Sequence, residues 1–566
     1  MERNKKKQII DARFILENKN LTPEDCEKIA KEDPDMLKMM KAHQNQDLSE
    51  QSEFLYNGKE RMLAFLIHEL QRDNIKILSE KGPMYVWNEK TKLWEKRKIN
   101  DLFTFIVYNT LAPLYIKLIK PLEQEFESKR KTTMSPAELV EITEIKQKIS
   151  TLKKNLDSLL TKRKTSDICK FLIGFLLHST GNFTELLNNK AELLPIRDAI
   201  ISERKIEHVV LNLKTGECIE RTKNDYFSYE LDITYDPNAK CCNFDKFINQ
   251  ISCSDSNTMN DLQNILGYCI TGEVKEKYAY FFRGYSGNNG KSCLLSIIEN
   301  ILKCKNGEIF IDELEDKKDK LITSVSSQIL SVDYKRCNAP SPELYSVKDS
   351  RIAVFNEFNV NVNIECFKAL TSGGYDKLMA RDLYSSPICF VPKFKMLLVS
   401  NCDPNISEDQ AILNRIKIID FNAQFVVDPA MVNENKHIYE CDLDITDKML
   451  KNESERSGIL NWLVAGAFNY YKNGLKFSEK LQETVKEFRT NNDSVNNFIN
   501  DCCIFDANRN IKAADLYSHY KVYCEENNMK PLTIVVFSRR LFASRKDITK
   551  KKTEKCCMYI GIDVKP

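Results

Sequence analysis

The segment that most restricts the fold lies in the middle of the chain, where an apolar stretch runs into a glycine-rich turn. YAYFFR (278–283) is typical of a buried strand, and GYSGNNGKS (284–292) follows it directly. After the turn, apolar residues recur at the spacing of one helix face: Leu294, Leu295, Ile297, Ile298, Ile301 and Leu302. A strand, a glycine-rich turn and a helix are the context that a phosphate-binding loop requires. The order therefore predicts a sheet covered by helices, with a phosphate site where the helix begins.

The turn carries the groups that such a site needs. Backbone N–H groups are expected to face phosphate oxygens, and the helix N-terminus adds partial positive charge. The residues expected to form the loop are Gly284, Gly287, Asn289 and Gly290. We expect Lys291 to hold the β- and γ-phosphates of ATP and the Ser292 hydroxyl to bind Mg²⁺. The usual motif has glycine where Tyr285 stands, so one glycine is missing, and a chance glycine turn is the alternative interpretation.

Hydrolysis needs further groups, and two later strands end in suitable residues. RIAVFNEF (351–358) ends in Asn356 and Glu357, and Glu357 is predicted to polarise the attacking water. FKMLLVSN (394–401) ends in Asn401, whose amide is expected to contact that water and the γ-phosphate. Each residue taken alone is compatible with an ordinary strand end. Their order behind the loop favours a nucleotide-hydrolysing site.

Composition limits the other classes of protein. With 566 residues the chain is long enough for three or four domains, and its net charge of +3 excludes a globally basic surface. The 19 cysteines include no C-x-x-C motif and no zinc-finger spacing, so we expect reduced thiols that pack as small apolar residues. Because no stretch approaches about 18 uninterrupted apolar residues, we expect no contact with a membrane.

Changes in pattern along the chain predict six segments. MYVWNEKTKLWEK (84–96) suits a small hairpin, and a charged helical stretch over about 118–163 is broken near Pro136. The predicted segments are a charged leader (1–50), a helical region with the small hairpin (51–164), a mixed α and β domain (165–270), a P-loop core (271–425), a helical connector (426–500) and a C-terminal module of helices followed by a hairpin (501–566).

Several of these motifs together resemble a known family. LGYCITGEVKEKYAYFFRGYSGNNGKS, RIAVFNEF, GGYDKLMARDLYSSPICFVPKFKMLLVSNCDPNI and DQAILNRIKIIDF resemble the superfamily-3 helicase core of viral DNA-replication proteins. The resemblance is to the poxvirus-type helicase-primase ATPase of large DNA viruses and covers roughly residues 165–545. It implies an α/β, AAA+-like P-loop fold with a mostly parallel sheet, preceded by a mixed domain and followed by a small winged-helix-like module.

The resemblance also implies roles for individual residues. Lys291, Glu357 and Asn401 would be catalytic, and Ser292 and Glu357 would hold Mg²⁺ beside ATP. Arg415 falls where the family places an arginine finger that reaches the neighbouring subunit. A DNA-gripping hairpin would contain Lys377 and Arg381, although Arg381 is also suited to holding the hairpin in place.

Two departures and one basic cluster complete the site predictions. Asn356 stands where many relatives have an acidic residue, and Tyr375 is an extra residue before the hairpin. Near the C-terminus, a winged-helix edge would contact duplex phosphates, and a solvated tail is the alternative. The residues predicted there are Arg539, Arg540 and Lys546.

The implied function is an ATP-dependent helicase that assembles as a homo-oligomer, a hexameric ring, on single-stranded and forked DNA. The resemblance implies action at a viral replication site in the host cytoplasm, with a separate primase and the replicative polymerase as partners. No primase active site is expected, because the first 160 or so residues lack a convincing set of acidic metal ligands and a histidine. Two alternatives stay open: another P-loop motor that packages DNA or remodels proteins, and a DNA-binding scaffold with a degenerate nucleotide site.

Overall fold

The computed structural model describes most of the chain. The described residues are 29, 31, 33–45, 51–80, 82–97, 99–130, 135–306, 321–332, 341–358, 360–383, 387–403, 409–491, 493–527, 529, 531–552 and 556–565. They form two compact units. The first contains the described residues up to Lys190, Glu220–Glu230 and residues 305–306, and the second contains Ala191–Ile219, Leu231–Cys304 and the described residues from 321 onward.

The first unit is mainly helical. Its helices are α1 (Pro34–Asn45), α2 (Gln51–Asn57), α3 (Glu60–Gln71), α4 (Ile99–Lys129), α5 (Pro136–Ser158), α6 (Lys162–Ser179) and α7 (Phe183–Leu186). Its antiparallel strands are β1 (Ile75–Ile77), β2 (Met84–Asn88) and β3 (Leu93–Arg97). The predicted small hairpin is β2 with β3, and the predicted break is a capping box in which Ser135 and Glu138 exchange hydrogen bonds at the start of α5.

The second unit contains the remaining strands and helices. The strands are β4 (Leu193–Ile201), β5 (Arg204–Asn212), β6 (Cys218–Glu220), β7 (Tyr229–Tyr235), β8 (Ala279–Arg283), β9 (Cys304–Asn306), β10 (Ile322–Ser326), β11 (Ile352–Asn356), β12 (Leu378–Ala380), β13 (Ile388–Phe390), β14 (Lys395–Ser400), β15 (Ile416–Asp420), β16 (Gln424–Val426), β17 (Ile438–Glu440), β18 (Cys503–Ile504), β19 (Asn510–Lys512), β20 (Thr549–Lys552), β21 (Cys557–Ile560) and β22 (Asp563–Val564). The helices are α8 (Cys242–Ile251), α9 (Ser256–Ile270), α10 (Lys291–Ile301), α11 (Pro342–Ser346), α12 (Ile364–Leu370), α13 (Gln410–Leu413), α14 (Ile445–Leu450), α15 (Glu453–Asn473), α16 (Glu479–Asn491), α17 (Ser494–Cys502), α18 (Ala513–Glu526) and α19 (Ile534–Ser544). Strands β6, β7 and β9 lie where the chain passes between the two units.

A five-stranded parallel sheet organises the second unit. Its order is β10–β11–β14–β8–β15, and every neighbouring pair is parallel. The residues of β14 are all buried, as expected for a strand covered on both faces. The α/β class predicted from the sequence is therefore confirmed, and the carboxyl ends of the five strands lie at one edge of the sheet.

Two smaller assemblies belong to the same unit. Upstream of the parallel sheet, β4 pairs antiparallel with β5 and parallel with β7. Near the C-terminus, α17, α18 and α19 precede an antiparallel pair of β20 with β21, and β19 joins the other edge of β21. The order of helices and then a hairpin matches the sequence prediction, and the winged-helix assignment stays a prediction.

Candidate functional site

The glycine-rich loop (284–290) connects β8 to α10 at the carboxyl ends of the parallel strands. The backbone N–H of Gly284 donates to the carbonyl oxygen of Ser400, the last residue of β14. Beside the loop is a cavity of about 500 Å³. The side chains predicted for catalysis and for magnesium, except Arg415, line it together with others, and its polar lining includes Lys291, Ser292, Ser324, Asn356, Glu357 and Asn401. The sheet thus brings together residues from three separate strand ends and from the loop.

The structure shows how two glycines of the loop contribute to its shape. A Cβ atom on Gly284 would lie 2.2 Å from the Nδ2 atom of Asn289 and 2.7 Å from the Nζ atom of Lys291. Gly290 has a φ of 85°, the left-handed conformation that side chains rarely adopt, immediately before α10 begins. Gly290 therefore needs the backbone freedom of glycine, a side chain at Gly284 would displace the ends of the Asn289 and Lys291 side chains, and Gly287 has open space around it.

Lys291 is held inside the loop. Its side chain is buried, with the residue only 4% exposed, and burial lowers the pKa of its ammonium group to about 8. The Nζ atom donates to Asn289 Oδ1 at 2.8 Å, to Asn401 Oδ1 at 2.9 Å and to the Gly284 carbonyl at 3.3 Å. These partners are neutral oxygens, so an incoming polyphosphate would offer this cation stronger acceptors than it has now.

Glu357 has an unusual backbone at the end of β11. Its φ is 50°, in the left-handed region that a residue with a side chain adopts at an energetic cost. The N–H of the next residue, Phe358, donates to the Val399 carbonyl and fixes the chain against β14. Glu357 and its neighbour Asn356 are both exposed and line the cavity. The turn therefore presents two polar side chains from consecutive positions to one space.

An ionic cluster that the sequence analysis missed fixes the rim of the site. The guanidinium of Arg283, at the end of β8, donates to Asp420 Oδ1 at 2.6 Å and Oδ2 at 3.0 Å, and to Asp403 Oδ1 at 2.6 Å. The Tyr285 hydroxyl donates to the same Asp403 carboxylate at 3.1 and 3.2 Å. Burial disfavours the charged form of Arg283, but the two carboxylates outweigh it and raise its pKa. Tyr285, in place of the usual glycine, thus ties the loop to the segment after Asn401.

A second cavity of about 410 Å³ lies on the other side of the loop. Asn288, Asn289, Lys291 and Ser292 line both cavities, so one ligand bound to the loop could extend into both. The second cavity is bounded by Phe247 of α8, Phe425 of β16 and a polar stretch that follows β17. The N–H of Phe425 donates to the Asn288 carbonyl at 2.8 Å, which fixes this wall against the loop.

Arg415 is not part of this cavity. It precedes β15, at the amino end of the strand, and the strand's five residues place it roughly 16 Å from the carboxyl edge. Its Nη1 atom donates to the Lys368 carbonyl at 2.8 Å and to Thr371 Oγ1 at 3.0 Å, both at the end of α12. Arg415 therefore does not reach the phosphate loop of its own chain in this structure.

The predicted hairpin is the antiparallel pair β12–β13. Lys377 is exposed just before β12, and Arg381 is half-buried just after it. The backbone of Arg381 exchanges hydrogen bonds with Ser341, since its N–H donates to Ser341 Oγ and its carbonyl accepts from the Ser341 N–H. These contacts hold the backbone of the hairpin in place.

The predicted C-terminal basic residues lie apart from the loop. Arg539 and Lys546 are exposed and Arg540 is half-buried, on or just after α19. All four residues of β20 are exposed, and three of them are lysines. This strand extends the basic surface beyond the three predicted residues.

The donor atoms near the loop fit a magnesium ion that is shared with phosphates. Ser292, Asn356 and Glu357 supply a hydroxyl, an amide and a carboxylate oxygen to one cavity, and Mg²⁺ prefers a few protein oxygens together with phosphate oxygens and water. Within the described residues there is no group of three or more His, Cys, Asp or Glu residues that could hold a metal ion alone.

Comparisons with known proteins point to one group of viruses. The family described as "Poxvirus D5 protein-like" matches residues 490–559. A protein of Acanthamoeba polyphaga mimivirus named "Putative helicase L207/L206" is 26% identical over 295 residues, which is 50% of this chain and 28% of that protein. The chain is similar to poxvirus-type viral helicases. The resemblance predicted from the sequence is confirmed, although the chain spans less than a third of its mimivirus relative.

Solved structures with partial likeness include a region of NrS-1 and the JCV helicase. The C-terminal region of NrS-1 is 13% identical, with 58% of this chain and 78% of that chain covered and a TM-score of 0.31. The JCV helicase is 11% identical, with 69% and 91% covered and a TM-score of 0.25. TM-scores this low carry no argument about this chain. Among the described helices, none is both long enough and apolar enough to cross a membrane.

Proposed function

We propose that the chain is an ATP-dependent replicative DNA helicase of the superfamily-3 type. The observation that carries the proposal is the convergence of Lys291, Ser292, Glu357 and Asn401 on one cavity beside a glycine-rich loop. The relatives support a helicase and not merely a nucleotide-binding protein. The substrates we propose are ATP with Mg²⁺ and single-stranded or forked DNA.

The geometry gives each residue a role. Lys291 exchanges its neutral acceptors, Asn289 and Asn401, for the β- and γ-phosphates, because a polyphosphate is the stronger acceptor for a buried cation. Glu357 accepts a proton from the attacking water, and its exposed position at the end of β11 leaves the carboxylate free to reach it. The Ser292 hydroxyl would hold Mg²⁺, which would neutralise charge on the phosphates. Asn401, released by Lys291, orients the water.

The base and ribose occupy the second cavity in this proposal. Because the loop residues from 288 to 292 other than Gly290 line both cavities, a triphosphate threaded along the loop has its γ-phosphate near Glu357 and its nucleoside beside Phe247 and Phe425. The aromatic wall suits a planar base.

We further propose that the chain works as a homo-oligomeric ring, hexameric in keeping with its resemblance. Arg415 supports this arrangement, because it lies away from its own phosphate loop and would complete the site of a neighbour. The proposed place of action is the viral replication site in the host cytoplasm, with a separate primase and polymerase as partners. The exposed residues Arg539 and Lys546 are proposed to contact duplex phosphates, and Arg540 to support them.

Two variants of the full chain test the nucleotide site. Lys291→Ala should abolish binding of ATP, because it removes the charge that holds the phosphates. Glu357→Gln should bind ATP normally but lose roughly 10²- to 10⁴-fold in hydrolysis, the usual contribution of a general base. Binding is measured with a fluorescent ATP analogue and hydrolysis by phosphate release. Lys472→Ala, at an exposed lysine of α15, is the matched control and should behave as the parent.

Near-normal hydrolysis by the Glu357→Gln variant would overturn the catalytic assignment. DNA-stimulated hydrolysis without strand displacement would instead favour another P-loop motor over a helicase. If the parent chain binds DNA but neither binds nor hydrolyses ATP, the scaffold alternative is correct.

A further inference from the structure

Two cysteines from different elements line the second cavity. Cys293 is the third residue of α10 and follows Ser292 of the phosphate loop, whereas Cys441 comes directly after β17. Both are free thiols, and both are half-buried. Among the described residues, no other cysteine lines either cavity beside the loop. The space that we propose for the nucleoside is therefore bordered by a pair of thiols.

The fold brings these two thiols close together. The Sγ atom of Cys293 lies 3.7 Å from Thr446 Oγ1, at the start of α14. Just before Thr446 the chain makes a turn, in which the N–H of Ile445 donates to the Asp442 carbonyl at 3.3 Å. Because a turn of this kind brings the residues on either side of it together, Cys441 lies near Thr446 and so near Cys293.

The electrostatics of Cys293 agree with this arrangement. Burial raises the pKa of its thiol, the hydrogen bond with Thr446 lowers it, and the neighbouring Cys441 raises it again. The net effect is a raised pKa, so Cys293 is mostly protonated at neutral pH and is a weak nucleophile toward a molecule from solution. A sulfur held beside it changes this, because attack within one molecule has a high effective concentration.

We propose that Cys293 and Cys441 form a redox-sensitive modification site that takes a low-molecular-weight disulfide as its oxidant. The Cys441 thiolate attacks one sulfur of the small disulfide and releases one small thiol. The Cys293 thiolate then attacks the Cys441 sulfur of this mixed disulfide and releases the second small thiol. The two protein thiols are oxidised to one disulfide bond, and their protons pass to the two thiols that leave.

The bond closes the second cavity to a nucleoside. The Cα atoms of bonded cysteines lie about 4.4–6.8 Å apart, so the segment after β17 is tied to the first turn of α10. Cys293 is only two residues from Lys291, so the tied segment lies beside the phosphate loop. This part of the inference rests on the proposed function, since it concerns the cavity proposed for the nucleoside of ATP. The disulfide and ATP exclude each other, and bound ATP must protect the thiols to the same degree.

The test treats the reduced full chain with glutathione disulfide and follows two quantities. Mass spectrometry of an unreduced digest measures the fraction of protein in which the peptide of Cys293 is linked to the peptide of Cys441. A fluorescent ATP analogue measures the fraction that binds nucleotide. The second fraction should fall in step with the rise of the first, and dithiothreitol should restore it. ATP with Mg²⁺ present during the treatment should slow the linkage.

Two variants provide the controls. The double variant Cys293→Ser with Cys441→Ser should bind the analogue equally well before and after treatment, because it lacks both thiols. The matched control is Cys389→Ser, at an exposed cysteine of β13 that lines neither cavity. It should lose nucleotide binding on treatment as the parent does.

The inference is overturned if no linked peptide forms, if linked protein binds the analogue as well as reduced protein, or if the double variant is inhibited as strongly as the parent. Failure of the proposed function looks different. In that case the reduced parent would bind no nucleotide before any oxidant is added, and the inference would fall with it.

Discussion

The two ends of the parallel sheet have different surfaces. At the carboxyl ends, Lys291 donates to Asn401, Arg283 donates to Asp403, and the phosphate loop lines a cavity. At the amino ends, Lys277 and Tyr375 stand in solvent. The first surface lines a cavity with side chains that hydrogen bonds hold in place, whereas the second carries exposed side chains. Strand β8 runs between the two, from the residues after Lys277 to Arg283, so both ends share one rigid element.

The largest expected effect concerns Arg415, which lies at the amino end of β15 and does not reach the phosphate loop of its own chain. If Arg415 completes a neighbour's site, the Arg415→Ala variant should assemble and bind ATP. Its rate of hydrolysis should fall roughly 10³- to 10⁵-fold, which is the contribution of arginine fingers in other enzymes. Mixing this variant with Glu357→Gln should restore part of the activity, because some interfaces regain an intact glutamate and an intact arginine. Phosphate release from mixed samples measures the rescue.

Mixtures that are shown to co-assemble but stay as inactive as either parent variant would contradict a role in trans. The Arg415→Lys variant is the matched control. It keeps the charge but not the forked guanidinium, so it should recover little of the lost rate.

A smaller effect should follow from the pKa of Lys291. In the free protein, burial lowers this pKa to about 8, whereas bound phosphates would favour the charged ammonium and raise it. Binding of ATP must therefore take up a proton at any pH above about 8, and affinity should fall there by up to about tenfold per pH unit. Titrations at constant free Mg²⁺ between pH 7 and pH 9.5 measure the slope. Flat affinity over this range would show that Lys291 is not the titrating contact.

Lys291→Arg gives the control for that experiment. Its guanidinium stays charged throughout the range, so whatever affinity remains should not depend on pH above 8. A persisting pH dependence in this variant would assign the titration to another group.

The smallest effect should come from Tyr285→Phe. This change removes only the hydroxyl that donates to Asp403, an exposed contact with a net value of roughly 1 kcal/mol or less. We expect the KM for ATP to rise by about threefold with little change in kcat, because the hydroxyl positions the loop and does not contact the reacting atoms. Steady-state hydrolysis measures both parameters. A fall in kcat with an unchanged KM would contradict a positioning role.

The sequence predicted the frame of the site well, for a physical reason. Strands buried on both faces are continuous apolar runs, so those leading to Arg283, Asn356 and Ser400 were recognisable. The polar residues that follow such runs fall at the carboxyl edge, and Glu357 and Asn401 do line one cavity with Lys291. Two other patterns also predicted local structure: aromatic runs around a polar turn predicted β2 with β3, and charged helical spacing predicted the break near Pro136.

The contacts across the chain could not be predicted in this way. Asp403 and Asp420 are 120 and 137 residues from Arg283, and no spacing rule joins them. The only signal was an arginine at the end of a strand in an otherwise apolar run. The second cavity was missed for the same reason, because Phe247 and Phe425 come from distant elements. The six predicted segment boundaries and the catalytic roles stay predictions.

The Arg283 cluster has a consequence for how this sequence can vary. Tyr285 departs from the usual glycine, and Asp403 is the acceptor that holds its hydroxyl. In a relative with glycine in place of Tyr285, Asp403 would lose one of its two partners. An acidic residue in place of Asp403 would then be less constrained. The two positions should therefore change together across a set of homologues, while Arg283 and Asp420, which bind each other directly, should be retained as a pair.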